Sequence, residues 1–272
     1  MLGNINITVV RGGGYIEKEI KKIEIKLLLL TERRIIIMEN YNDFLNRISY
    51  QQTKLQIGEG FFKPDNRVYE KVNSDNSFKP FYGDTVVFDL DCHTKTRLYK
   101  LIDKLYQSVP ECFCQRLEKS TIHMTLHDLS ASDNLDRISS EVFTNEIRLL
   151  QAINNKPIEP KTIRMRSNFI VNMVSTSLVL ALVPADDMEW NKIQVLYDLI
   201  NEVKVCSYPY MTPHITLAYF NYDGFDAGSV QNLREVVNEL NKESFEITLN
   251  TENIKYQKFT SMNDYISIFN LI

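Results

Sequence analysis

The tightest constraint in this sequence is a repeat. Thr121-Ile122-His123-Met124-Thr125-Leu126 aligns with Thr212-Pro213-His214-Ile215-Thr216-Leu217, offset by 91 residues throughout and sharing Thr, His, Thr and Leu. The chain has four histidines (His93, His123, His127 and His214), so half of them stand in this one pattern. Each copy alternates polar and apolar residues with the period of a strand. His123 and Thr125 then face one way, about 7 Å apart along the strand, while Ile122, Met124 and Leu126 face a core. The same parity puts His214 and Thr216 together and turns Ile215 and Leu217 inward. A chain with two such strands is expected to fold as two similar halves.

The flanking segments keep that rhythm. Strands are predicted at 83–91, 121–129, 161–172, 176–184, 212–220, 244–250, 253–259 and 264–272. Helices are predicted at 94–109, 132–155, 186–203 and 228–243, with Ser132 or Asp133 capping the second. The alternation predicts an α+β fold of two similar lobes forming one functional domain, over 83–272. Residues 38–82 read as an accessory helix followed by an ordered loop rich in turn formers and aromatics. Residues 1–37 carry seven basic and four acidic side chains, a net +3 that leaves -7 for the remainder. They are read as an N-terminal extension, either packed on the domain or dispensable, with Met38 as an alternative start.

Composition narrows the function classes. Hydrophobic residues are 44% and charged residues 24% of the 272, the balance of an ordinary globular chain and not of a disordered or fibrous one. The net charge of -4 leaves no general basic coat for long nucleic acid, so no extended nucleic-acid surface is expected. The most apolar stretch, 23–38, is interrupted by Glu32, Arg33 and Arg34, which excludes a membrane span there. No secretory signal pattern opens the sequence. The four cysteines (Cys92, Cys112, Cys114 and Cys206) suit a reducing compartment, and the cytoplasm is the expected location.

Two imidazoles and two hydroxyls around a cleft suit phosphoester chemistry. In-line displacement at phosphorus needs a base on the entering oxygen and an acid on the leaving one. Histidine serves either role near neutral pH. Threonine hydroxyls donate to the non-bridging oxygens, whose charge must be held in the transition state. No metal is required when the ester is strained, as in a 2′,3′-cyclic phosphate.

These paired H-x-T-x motifs, one per half and roughly 90 residues apart, resemble the two-histidine (2H) phosphoesterases. That superfamily includes RNA 2′,3′-cyclic phosphodiesterases, 2′-5′ RNA ligase-like proteins and enzymes of cyclic or 2′-5′-linked nucleotides. The resemblance extends over roughly 83–272. The run Pro80-Phe81-Tyr82-Gly83-Asp84-Thr85 also looks like an uncharacterised branch with a P-F-x-G-[ND]-T segment, from which residues 71–77 depart. The resemblance implies pseudo-symmetric lobes, each an antiparallel sheet with outer helices, around a central cleft. It implies His123 and His214 as the acid–base pair, and Thr125 and Thr216 as phosphate-oxygen donors. It implies a nucleotide or RNA-end substrate, with no cofactor and no metal. Which histidine is the base, hydrolysis against ligation, and the oligomeric state all stay open.

Further candidates follow from position. His127 shares the predicted His123 face, as a substrate contact or a cleft edge. Phe220 shares the predicted His214 face, and it or Tyr210 would stack on a base if not packed in the core. Arg164 and Arg166 share one predicted strand face and would clamp phosphate if not simply solvated. Zinc on His123 and His127 is disfavoured, because a straight strand separates them by about 13 Å. Two rival functions remain: a non-catalytic module binding a phosphorylated nucleotide in the same cleft, and a metal-dependent hydrolase built on Asp89, Asp91 and His93.

Overall fold

The computed structural model describes residues 39–54, 57–159, 161–204 and 210–272. The extension 1–37, Met38 and Cys206 lie outside the described residues. Asn40–Ile272 form one unit. Its elements are α1 (Tyr41–Lys54), β1 (Tyr82–Asp89), α2 (Cys92–Ser108), β2 (His123–Ser132), α3 (Leu135–Asn155), β3 (Thr162–Met173) and β4 (Ser177–Pro184). There follow α4 (Asp187–Asn201), β5 (His214–Tyr219), α5 (Ala227–Leu240), β6 (Glu246–Asn250), β7 (Ile254–Ser261) and β8 (Asp264–Asn270). No described helix is long and apolar enough to cross a membrane.

The fold is α+β, and its strands form one curled antiparallel sheet, a half-barrel. Their order is β6-β3-β4-β5-β2-β1-β7-β8. The two repeat strands are therefore neighbours at the centre, and each half contributes four strands. The ladder between the halves is a single pair, Met124 opposite Ile215. Both side chains are fully buried, on the face that carries the core. Burying a side chain of this size contributes roughly 1.5–3 kcal/mol, so core packing and not the short ladder holds the seam.

Helix starts show how local chemistry sets the boundaries. Asp91 caps α2, accepting from the Thr94 backbone N–H at 2.8 Å and from the Thr94 hydroxyl at 2.6 Å. The cap of α3 is Asn134, accepting from the Asp136 N–H at 2.9 Å, and not Ser132 or Asp133 as the pattern suggests. Ser132 still belongs to β2, and its hydroxyl accepts from the Asn134 N–H at 3.1 Å. The chain thus needs two further residues to turn from sheet to helix.

The run 80–85 acquires a physical meaning. A Cβ on Gly83 would run into the Ser130 carbonyl and the Phe259 ring, so only glycine fits there. Asp84 is buried at 1% exposure and caged: it accepts from the Ser130 N–H (2.9 Å), the Asn145 amide (3.1 Å) and the Tyr256 hydroxyl (3.0 Å). Burial pushes its pKa up, and these bonds oppose that shift. The Thr85 hydroxyl donates to the His127 carbonyl at 3.2 Å. These three residues tie β1 to β2 and α3. Gly83→Ala should therefore cost about 1–3 kcal/mol in urea unfolding, whereas Gly58→Ala, with open space around it, should stay within about 0.5 kcal/mol.

Candidate active site

Pairing of repeat-equivalent residues creates a local two-fold axis between Met124 and Ile215. Continuing the antiparallel register sets His123 across from Thr216, and His214 across from Thr125. All four lie on the face opposite the core, and each is half-buried. Diagonal neighbours in such a pair have Cβ atoms about 7–8 Å apart. The fold thus brings together the four residues that the repeat singles out.

The two rings are held alike. His123 Nδ1 lies 2.7 Å from the Thr121 carbonyl oxygen, and His214 Nδ1 lies 2.7 Å from the Thr212 carbonyl oxygen. A carbonyl only accepts, so each Nδ1 carries the proton and donates it. In a neutral ring Nε2 then keeps its lone pair. The partner in each case is the residue two before the histidine, so the backbone of the repeat orients its own imidazole. Among the described residues, the Thr125 and Thr216 hydroxyls have no hydrogen-bond partner in the protein.

Past the threonines, both strands bulge at the same place. The β1–β2 register skips Leu126 between Thr125 and His127, and the β4–β5 register skips Leu217 between Thr216 and Ala218. An extra residue reverses the faces beyond it. Two expectations are corrected for that reason. His127 points to the core side at 2% exposure, where its ring lies 5.1 Å from Tyr197 of α4. Phe220 is fully buried against Phe62, Phe113 and Phe225. Conversely, Asp128 and Tyr219, one in each strand, turn onto the histidine face. Strict alternation cannot reveal this; the only hint is the apolar pair Leu217-Ala218 after Thr216.

The arginines do not form a clamp. Arg164 is taken by Asp186 at 2.8 Å and Glu189 at 3.1 Å, both at the turn into α4. Arg166 stands opposite Val183, two strands from β5, and its guanidinium lies 3.5 Å from the Ala185 carbonyl. Tyr210 is 42% exposed, and its ring partner is the Arg47 guanidinium at 5.5 Å. The proposed metal cluster is also dispersed. Asp89 bridges Lys95 (2.7 Å) and Lys255 (2.5 Å), and Asp91 is spent as the α2 cap. Among the described residues, no group of three or more His, Cys, Asp or Glu is placed to hold a metal ion. Burial pushes the Cys112 and Cys114 thiols up to about 12, consistent with unreactive core cysteines.

Aromatic residues close in on His123. Tyr265 meets its ring edge-on at 5.1 Å, and Phe259 lies 5.3 Å from Tyr265. Phe81 stacks on Phe259 at 6.0 Å, and Phe78 meets Tyr219 edge-on at 5.8 Å. The loop before β1 supplies Phe78 and Phe81. Asp128, exposed on the same face, acts electrostatically on His123, Tyr219, Tyr265 and Lys71. Burial, partly opposed by the Thr121 carbonyl and Asp128, pushes the His123 pKa down to about 4.

No protein-family model matches this chain, and no curated protein matches it. A conserved protein of unknown function from Agrobacterium tumefaciens has a similar structure, with TM-score 0.61 and 13% identity, covering 77% of this chain and 94% of that one. The two share a fold. Escherichia coli LigT bound to 3′-AMP matches at TM-score 0.41 and 11% identity, over 70% of this chain and 97% of that one. A phosphoesterase matches at TM-score 0.39 and 11% identity, over 70% and 97%.

A pH prediction follows from His123. Its folded pKa lies below the usual 6.5, so the folded state resists its protonation. The resulting penalty is absent above about pH 6.5 and grows as pH falls toward 4. Relative to His123→Gln, the native chain should lose up to about 3 kcal/mol of stability across that window. Parallel stability curves for the two proteins would show that the ring is not held neutral.

Proposed function

We propose that this chain is a phosphoesterase that uses His123 and His214 as an acid–base pair on a cyclic or 2′-5′-linked nucleotide or RNA end. The observation that carries this reading is the Met124–Ile215 pairing, which sets two identically oriented imidazoles and two unpartnered threonine hydroxyls around one axis. The catalytic unit is proposed to span 83–272, with the loop before it folded against the cleft.

We assign His123 as the base, because burial favours its neutral form and its Nδ1 donates to the Thr121 carbonyl, which leaves Nε2 a free lone pair. In the hydrolytic direction, His123 Nε2 takes a proton from water as the water oxygen bonds to phosphorus. The bond from phosphorus to the ribose oxygen breaks on the opposite side. His214, as the acid, delivers an Nε2 proton to that departing oxygen, and a phosphomonoester remains. Thr125 and Thr216 donate to the non-bridging oxygens as charge builds on them. None of these steps calls on a metal.

The test is hydrolysis of 2′,3′-cyclic and 2′-5′-linked nucleotides by EDTA-treated protein. His123→Ala and His214→Ala should each lower kcat by about 10² or more. Thr125→Val and Thr216→Val should lower it less, with the loss mainly in the chemical step. A rate that survives both histidine changes would overturn the assignment. Nucleotide binding without product would turn the reading into that of a binding module.

A further inference from the structure

We propose that Lys71 is a substrate-binding residue that holds an oxygen of the substrate's phosphate beside the two histidines. The inference rests on the phosphoesterase reading and extends it to a residue outside both repeat motifs. The Lys71 ammonium lies 5.0 Å from the centre of the Phe81 ring and 5.4 Å from that of Tyr219. Tyr219 stands three residues beyond Thr216, returned to the histidine face by the bulge. Phe81 leads through Phe259 and Tyr265 to His123, in three successive ring contacts. Lys71 therefore faces the same space as the dyad, on the His123 side.

Its hydrogen-bonding capacity is unspent. Ring faces attract an ammonium but accept none of its three N–H bonds in the way an oxygen does. Among the described residues, no hydrogen bond or ion pair engages the Lys71 ammonium. A lysine on an open surface carries its charge to water. This one is held inward between two rings, and burial lowers its pKa. Cations nearby are already matched, Lys95 and Lys255 by Asp89, and Lys79 by the Tyr69 carbonyl at 2.8 Å. Asp128 acts on Lys71 from beyond ion-pair distance, so a gap separates the two charges. An anionic oxygen is the partner that this ammonium and the idle threonine hydroxyls can share. It belongs either to the reacting phosphate or to a second phosphate on the same substrate.

Lys71→Met keeps the aliphatic stem on the rings and removes the charge; Lys71→Arg keeps the charge. The probes are inorganic phosphate, by calorimetry, and turnover of adenosine 2′,3′-cyclic phosphate with and without a 5′-phosphate. The Met variant should bind phosphate at least about tenfold more weakly and raise KM for the cyclic ester by a similar factor, and Arg should recover most of both. A defect confined to the 5′-phosphorylated ester would place the second phosphate on Lys71; a defect on both would place the reacting one there. Lys71→Gln replaces the Met variant if that fails to fold, as judged by its melting curve. No phosphate binding by the native chain at about 20 mM, or native affinity in the Met variant, would overturn the assignment. Lys71-dependent phosphate binding in a protein that turns over no ester would keep it while removing the phosphoesterase reading. Ester turnover with native KM in the Met variant would do the reverse.

Discussion

The pairing of Met124 with Ile215 is the contact on which the rest of this molecule depends. Two residues at equivalent places in a repeat sit opposite each other only if a two-fold axis runs between them. Both are buried at 0% exposure, so the apolar side of each strand anchors the pair. The polar side follows without further adjustment, because strand side chains alternate. A slip of one residue in either strand would carry an imidazole into the core and a Met or Ile into water. That penalty specifies the register, even though the ladder across the seam is a single pair.

Symmetry also governs what lies beyond the motifs. Each central strand bulges one residue after its threonine, and the two bulges occupy equivalent places. Bulges re-aim side chains, and here they exchange the occupants of the two faces. His127 and Ala218 go to the core; Asp128 and Tyr219 go to the cleft. The halves are alike in backbone but not in chemistry, since one returns a carboxylate and the other a phenol. The aromatic wall adds to the asymmetry, because Tyr265, Phe259 and Phe81 gather on the His123 side.

Rigidity behind the site comes from the run 80–85. Gly83 lets Phe259 and the Ser130 carbonyl approach the β1 backbone closely, and caged Asp84 links β1, β2, α3 and β7 through three donors. A buried carboxylate is costly unless its oxygens are satisfied, and this one is well supplied. The structure accounts for this run as support for the sheet. Its glycine, aspartate and threonine need not touch a ligand.

Much was legible before folding. The strand and helix order, the α+β class and the four residues His123, Thr125, His214 and Thr216 follow from period-two and helical patterning, and from the repeat. Those signals survive because burial enforces them locally, one face against another. What the string could not yield is whatever depends on a second segment. Arg164 is an open cation on its own strand, and only the turn into α4 brings the acids that occupy it. His127 and Phe220 obey alternation until a partner strand skips a residue. Lys71 sits in a loop with no periodicity, and its place over Tyr219 exists only once about 150 residues of intervening chain have folded. The residue order alone thus specified which four side chains the repeat sets on one face of the sheet. Tertiary contacts decided which of their neighbours share the cleft, because strand register, bulges and loop docking arise between segments that are remote in sequence.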